Sequence, residues 1–258
     1  MDDDRVDLLR RLTAATPRWA LVKGERPALE GTGDVDSAAP AEDWPLLRDA
    51  AAGWANDTGR GPVLACTHIP GMLVLAVVER AQPATLVQID VLDHRLVRGM
   101  PVLHARDLGW QATIVPSGYR RASPAGEALA RLVLDDWPAW RPRTPETLGS
   151  LAALLSADEG ETSALAARLD PDLARALVSL AEGRGPEAAL RKLELRASTR
   201  AAREPRAFAR RLAAAPSRRR CPLLHALRAE RTVTEDLDTW LGRVNRAHRD
   251  VEIGERYR

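Results

Sequence analysis

The 258-residue chain is poor in cysteine, lysine and every aromatic residue except tryptophan. Its two cysteines, Cys66 and Cys221, exclude a disulfide framework and a thiolate cluster for zinc or iron–sulfur. The five histidines lack HxxxH or HxH spacing, so local sequence does not support a histidine-based metal site. No apolar run approaches the roughly 20 residues that a bilayer requires, and the acidic start is unlike a secretory signal. These absences predict a cytoplasmic protein without membrane contact.

The composition, 45% hydrophobic and 29% charged, is typical of globular proteins and excludes disordered and fibrous classes. The net charge of +2 conceals an asymmetry along the chain. Residues 1–183 carry 19 basic and 26 acidic side chains, whereas residues 184–258 carry 19 basic and 10 acidic ones. The basic quarter indicates either contact with a polyanion such as RNA or an ordinary solvated helical surface. Because all but two of the basic residues are arginine, a GC-rich genome also accounts for part of this charge.

The first half of the chain predicts alternating strands and helices. A proline-started apolar stripe predicts a helix over 44–54, and Thr67–Gly71 is typical of a hairpin turn between antiparallel strands. From about Ser123 onward, β-branched residues become rare and proline marks the start of successive helices. Short β-rich runs between glycines and prolines predict strands over 19–23, 62–67, 72–78, 86–92 and 112–115.

Carboxylates at three positions are the strongest candidates for chemistry. Asp34 and Asp36 follow the glycines Gly31 and Gly33, and an extended backbone would point both carboxylates to the same side. Paired carboxylates repel each other unless a cation lies between them, and Mg²⁺ is commonly held by one or two carboxylates plus phosphate oxygens. The alternative is a plain polar turn, and the glycines could equally form an anion-binding nest or simply the turn itself.

Asp90 lies within the apolar run 86–92, where an ionised side chain is costly unless it is paired or binds a metal. The alternative is that Asp90 faces solvent and pairs with Arg95 or Arg98. Periodicity leaves this open, because Leu86, Gln88, Asp90 and Leu92 would share one face of the strand.

The order of these parts resembles the nucleotidyltransferase fold of the polymerase-beta superfamily. The resemblance rests on a strand ending in Lys23-Gly24, the acids Asp34 and Asp36 at the next strand, a helix, a hairpin, and Asp90 in a later strand. It implies an α+β fold: a small mixed β-sheet flanked by helices in a nucleotidyltransferase-like domain over residues 1–136. An all-α C-terminal domain is then expected over residues 137–258.

The resemblance also implies an activity and its residues. Asp34, Asp36 and Asp90 would be the catalytic acids and the ligands of Mg²⁺. Gly24 would lie against a bound nucleotide triphosphate. The chain also resembles superfamily members found near glycan-biosynthesis genes, in which an Arg-Gly pair follows the strand acid, as Arg98-Gly99 does here. Lys23, Gly33 and Arg98 complete the expected nucleotide-binding set.

The expected reaction is transfer of a nucleoside monophosphate to a hydroxyl of a small molecule, a sugar or antibiotic-like metabolite. Two alternatives remain open. The basic C-terminal helices could recruit tRNA, as in toxin-like members of the superfamily. Alternatively, Glu25, an acid where the family usually has a small residue, could mark a non-catalytic binding protein on a degenerate version of the fold.

Overall fold

The computed structural model describes residues 3–67, 69–79, 84–135 and 143–206, together with 232–233, 239 and 252–253. The fold is mixed α+β, as predicted: helices flank a mixed β-sheet, and a separate two-stranded sheet lies beside it. Its helices are α1 (Asp3–Ala15), α2 (Glu25–Glu30), α3 (Trp44–Asp57), α4 (Ala105–Leu108), α5 (Pro124–Leu134), α6 (Pro145–Ser156), α7 (Glu159–Ala166), α8 (Pro171–Ala181) and α9 (Glu187–Arg203).

The main sheet is built around a four-strand centre. Its strands are β1 (Ala20–Lys23), β2 (Val35–Ala38), β3 (Val63–Cys66), β4 (Met72–Glu79), β5 (Ala84–Leu92), β8 (Thr113–Ile114), β9 (Arg120–Arg121), β10 (Thr232–Val233) and β11 (Glu252–Ile253). They follow the order β11-β3-β4-β5-β2-β1-β9-β8, and β10 pairs with β5. Strands β3, β4 and β5 form an antiparallel meander, whereas β2 joins β5 in parallel.

Helices α1 and α3 cover one face of the main sheet. The helix predicted over 44–54 is present as α3, and its buried stripe of Leu47, Ala51 and Trp54 packs on that face. The same core takes up alternate strand residues, including Val35 and Ile89. Because successive side chains of a strand alternate between faces, the residues between them belong to the opposite face.

On that opposite face, the apolar core is continuous from the sheet into the later helices. Val22, Ala38 and Leu92 pack in one buried cluster with residues of α5 to α9. The small sheet, formed by β6 (His94–Val97) and β7 (Met100–His104), contacts α9 through Val97 and Met100. Helices α6 to α9 are therefore held against the sheet by shared apolar burial.

Between residues 145 and 203 the chain forms the helices α6 to α9, in agreement with the successive helices predicted after Ser123. Beyond residue 206, the described pairs 232–233 and 252–253 are short strands that join the main sheet. An all-α domain over 137–258 therefore stays a prediction, because most of 207–258 lies outside the described residues. None of the described helices combines the length and the hydropathy that a membrane span requires.

Candidate functional site

The parallel pairing of β2 with β5 brings two of the three predicted acids together. Asp36 on β2 is the direct register partner of Asp90 on β5. Lateral neighbours in a sheet point to the same face, so both side chains lie on the face covered by α5 to α9. The Ser37 hydroxyl donates a hydrogen bond of 2.9 Å to the Asp90 carbonyl oxygen and ties the two strands at this point.

A β-bulge at the end of β1 adds a cation to this pair. Leu21 pairs with Ser37 and Lys23 pairs with Asp36, so Val22 is an extra residue in β1. The bulge places the Lys23 amine 3.3 Å from Asp36 Oδ2. The same amine donates a hydrogen bond to Asp135, which follows the last residue of α5. Lys23 thus bridges two carboxylates from different elements.

Asp135 was missed by the sequence reasoning, although it carries a signal. A negative charge at the C-terminal end of a helix opposes the helix dipole, so an acid there requires a compensating partner. In this protein that partner is Lys23. Gln88 was likewise missed as a partner: its side-chain amide donates a 2.8 Å hydrogen bond to Asp90 Oδ1.

Burial disfavours the ionised forms of Asp36 and Asp90. Burial raises the pKa of the Asp90 carboxyl to about 7; the hydrogen bond from Gln88 acts against this shift, and Asp36 and Asp34 add to it. Burial also raises the pKa of Asp36, although the Lys23 amine opposes the shift. For Lys23, burial disfavours the charged amine, but Asp36 and Asp135 outweigh that cost and raise its pKa. A further cation beside Asp36 and Asp90 would favour their ionised forms.

Asp34 and Gly24 lie beside Asp36. The charge of Asp34 acts on both Asp36 and Asp90, so all three predicted acids belong to one electrostatic cluster. Gly24 has a φ of 70°, and a Cβ built on it would lie 3.8 Å from Asp36 Oδ2. The backbone therefore passes close to the acids in a conformation that favours glycine.

Gly33 has a structural role in this conformation. Its N–H donates a hydrogen bond of 3.0 Å to the Pro27 carbonyl oxygen, and the N–H of Thr32 donates a second one of the same length. A Cβ at Gly33 would lie 2.6 Å from Pro27 Cβ. These amides close the end of α2 and make no anion-binding nest, so the turn interpretation of the glycines agrees with the structure.

The Glu25 carboxylate accepts a hydrogen bond from Tyr119 and forms an ion pair with Arg121. The hydrogen bond from the Tyr119 hydroxyl to Glu25 Oε1 is 2.5 Å long, and Arg121 Nη1 lies 2.7 Å from Oε2. Burial and the hydrogen bond to Glu25 raise the pKa of Tyr119. Arg121 also binds Glu127 of α5, 2.8 Å away. The charge of Glu25 is offset within the protein and links α2 to β9.

The structure does not bring Arg98 to the acids. Arg98 occupies the turn between β6 and β7 with a φ of 52°, and its Nε donates 2.9 Å to Glu194 of α9. The alternative in which Arg98 pairs with Asp90 is therefore wrong. Part of the basic charge in residues 184–258 is also paired, because Arg196 of α9 binds Asp170 and Arg200 of α9 binds Glu204.

The donor chemistry of the cluster fits a divalent cation. Asp34, Asp36 and Asp90 offer carboxylate oxygens, the ligands Mg²⁺ prefers, and burial together with repulsion from neighbouring acids raises the pKa of Asp36 and Asp90. Within 3–67, 69–79, 84–135 and 143–206, no three His, Cys, Asp or Glu side chains are already set at metal-ligand spacing. The Lys23 amine is the cation at Asp36 in this conformation.

Comparison with known proteins identifies no relatives: neither a protein-family model, a curated protein nor a solved structure matches the chain.

Proposed function

We propose that the protein is a Mg²⁺-dependent nucleotidyltransferase of the polymerase-beta type, acting on a hydroxyl of a small molecule. The observation that carries the proposal is the lateral pairing of Asp36 with Asp90, with Asp34 and Gly24 beside them. The pairing supports the proposal because it brings together two carboxylates that are 54 residues apart in the sequence. Asp34, Asp36 and Asp90 would hold the ion.

When bound there, Mg²⁺ would offset the charge of the triphosphate and lower the pKa of the acceptor hydroxyl. Asp90 would take the proton of that hydroxyl, because its carboxylate would lie beside the ion that the hydroxyl approaches. The acceptor oxygen would form a bond to the α-phosphorus as the bond to the β-phosphate breaks, and pyrophosphate would leave.

Lys23 is the residue best placed to exchange partners during binding. Its amine already lies between Asp36 and Asp135, and a triphosphate oxygen could replace either carboxylate as its partner. The offset charge of Glu25 supports this proposal, because a carboxylate paired with Arg121 repels phosphate less than a lone one. Arg98 is left out of the proposed phosphate contacts because it binds Glu194.

Calorimetry with each ribonucleoside triphosphate, with and without Mg²⁺, tests the proposal. We expect Mg²⁺-dependent binding by the native protein, its loss in the Asp34→Asn/Asp36→Asn double variant, and its retention in Asp49→Asn, an exposed acid of α3. Release of pyrophosphate with a candidate acceptor would then establish transfer. If no triphosphate binds, the proposed activity is wrong and the non-catalytic alternative takes its place.

A further inference from the structure

The Lys23 amine joins two carboxylates that differ in their exposure to solvent. It lies 3.3 Å from Asp36 Oδ2 and donates a hydrogen bond to Asp135. The side chain of Lys23 is 17% exposed, whereas those of Asp36 and Asp135 are 25% and 43% exposed. The amine therefore has an inner partner, Asp36, which is one of the proposed metal ligands, and an outer partner, Asp135.

Packing fixes the two elements from which Lys23 and Asp135 extend. Val22, the neighbour of Lys23 in β1, lies in the same buried cluster as Leu129 and Leu132 of α5. Asp135 follows the last residue of α5. Because a close-packed core resists displacement, we expect a change of partner at Lys23 to be made by its flexible side chain, without movement of β1 or α5.

A lysine suits such a change of partner better than an arginine does. Its ammonium is a compact charge on a flexible stem, whereas a guanidinium holds a carboxylate in a fixed bidentate geometry. The chain has 38 basic residues, and the two lysines among them are Lys23 and Lys192. Position 23 thus departs from the arginine usage of the rest of the chain, at the point where a mobile cation is useful.

A divalent ion held by Asp36 would compete with this amine, because two cations at one carboxylate repel each other. A partly buried ammonium that left Asp36 without another carboxylate at hand would be costly. Asp135 removes that cost, because it already accepts a hydrogen bond from the same amine. The amine can therefore give up Asp36 and remain paired.

We infer that Lys23 is an internal competitor of Mg²⁺: its amine neutralises Asp36 until a divalent ion binds, and then pairs with Asp135 alone. Asp135 is a positioning residue, which acts through Lys23 by holding the amine away from the ion. Binding at the acids is thus an exchange of cations, and Lys23 sets the Mg²⁺ concentration at which it occurs. The inference rests on the Mg²⁺ site of the proposed function, but on neither nucleotide binding nor transfer.

Calorimetry with Mg²⁺ alone, at pH 8 and constant ionic strength, tests the competition. Lys23→Met should bind Mg²⁺ at least about tenfold more tightly than the native protein, the smallest change that a neighbouring cation makes in the proton affinity of a carboxylate. Lys192→Met removes an exposed lysine of α9 and should bind Mg²⁺ as the native protein does. Circular dichroism checks the fold of each variant. An unchanged affinity in folded Lys23→Met would overturn the inference.

Asp135→Asn distinguishes the positioning role from direct contact with the ion. This variant leaves the amine with Asp36 as its carboxylate partner, so Mg²⁺ binding should weaken several-fold. In the Lys23→Met background the same substitution should have a much smaller effect, because no amine remains to be held. Equal losses in the two backgrounds would show that Asp135 acts on the ion directly. Asp49→Asn, an exposed acid of α3, is the control.

The scarcity of lysine gives a direct readout of the amine in the native protein. Protein labelled with nitrogen-15 lysine has two side-chain ammonium signals, from Lys23 and Lys192, and the two methionine variants assign them. Mg²⁺ should shift the Lys23 signal and leave the Lys192 signal in place. An unchanged Lys23 signal at saturating Mg²⁺ would show that the amine stays on Asp36.

These measurements contain no nucleotide, so their outcomes separate the inference from the proposed activity. If Mg²⁺ binding depends on Lys23 as expected but no triphosphate binds, the competition is established and the proposed activity is wrong. If Mg²⁺ and a triphosphate bind and Lys23→Met changes neither affinity, the inference is wrong and the proposed activity is not affected. Absence of Mg²⁺ binding in both the native protein and Lys23→Met would overturn both.

Discussion

Asp36 and Asp90 are direct neighbours on parallel strands, yet their charges are balanced by different kinds of group. Asp36 Oδ2 lies 3.3 Å from the Lys23 amine, whereas Asp90 Oδ1 accepts a hydrogen bond from the uncharged amide of Gln88. An ammonium stabilises a carboxylate more strongly than an amide does. The pair is therefore asymmetric, and Asp90 is the member with a pKa of about 7.

The raised pKa of Asp90 predicts how stability depends on pH. The folded protein holds the Asp90 proton up to about pH 7, whereas the unfolded chain releases it near the ordinary value of 3.8. Stability is therefore lost as pH rises from about 4 to 7. Asp90→Asn should raise the free energy of unfolding in EDTA at pH 8 by about 2–4 kcal/mol, and by much less at pH 4.5.

Urea denaturation of this variant at the two pH values measures the effect. Asp49→Asn, at an exposed position of α3, serves as the matched control and should change stability little at either pH. A loss of stability in Asp90→Asn at pH 8 would show that the Asp90 carboxylate is well stabilised in the folded protein.

Replacing Lys23 tests whether the acids need a cation. Lys23→Met removes the amine shared by Asp36 and Asp135, so the free energy of unfolding at pH 8 in EDTA should fall by about 1–3 kcal/mol. Millimolar Mg²⁺ should restore part of that loss. Denaturation with and without Mg²⁺ makes the measurement, and the exposed Lys192, replaced in the same way, is the control. Equal losses of stability in the two variants would show that the Lys23 amine does not stabilise the acids.

Replacing three glycines by alanine, one at a time, distinguishes the cost of backbone strain from the cost of steric conflict. Gly24→Ala should cost about 1 kcal/mol, because φ is 70° but the new Cβ meets Asp36 Oδ2 at an ordinary 3.8 Å. Gly33→Ala should cost about 2 kcal/mol or more, because its Cβ would lie 2.6 Å from Pro27 Cβ. Gly53→Ala, within α3 and with open space around it, should stabilise by about 0.5–1 kcal/mol. Thermal melts rank the three; any other order contradicts these assignments.

The link between Glu25 and Arg121 is accessible to a double-mutant cycle. Arg121→Met leaves Glu25 and Glu127 without their shared partner and should cost about 1–3 kcal/mol, since the guanidinium is about one-third exposed. Adding Glu25→Gln should recover part of that cost, because one uncompensated charge is removed. Urea denaturation of the two single variants and the double variant gives the coupling energy. Strict additivity would show that Glu25 and Arg121 do not interact energetically.

Local signals in the sequence account for much of the fold. The proline at the start of α3, its apolar stripe, and the turn between β3 and β4 act within about ten residues, so periodicity and turn chemistry predict them. Helix α1 was missed, although Val6, Leu9 and Leu12 carry a helical spacing. Strands β6 and β7 were missed because they are short and only partly buried.

The site depends more on contacts that no local pattern contains. The sequence singled out Asp34, Asp36 and Asp90, because paired acids and an acid in an apolar run are unusual. The parallel pairing that joins β2 to β5 was not predicted, because the family resemblance implied only a small mixed sheet. The bulge at Val22, which turns Lys23 toward Asp36, and the approach of Asp135 follow from packing of the whole chain.

The mixed pattern of the sheet also bears on how the protein folds. Strands β3, β4 and β5 are consecutive in sequence and pair antiparallel, so they can form early at low cost in chain entropy. Strand β2 pairs with β5 only after the intervening chain has closed on itself. We therefore expect the carboxylates of Asp36 and Asp90 to meet after the meander has formed, so that their repulsion acts after nucleation.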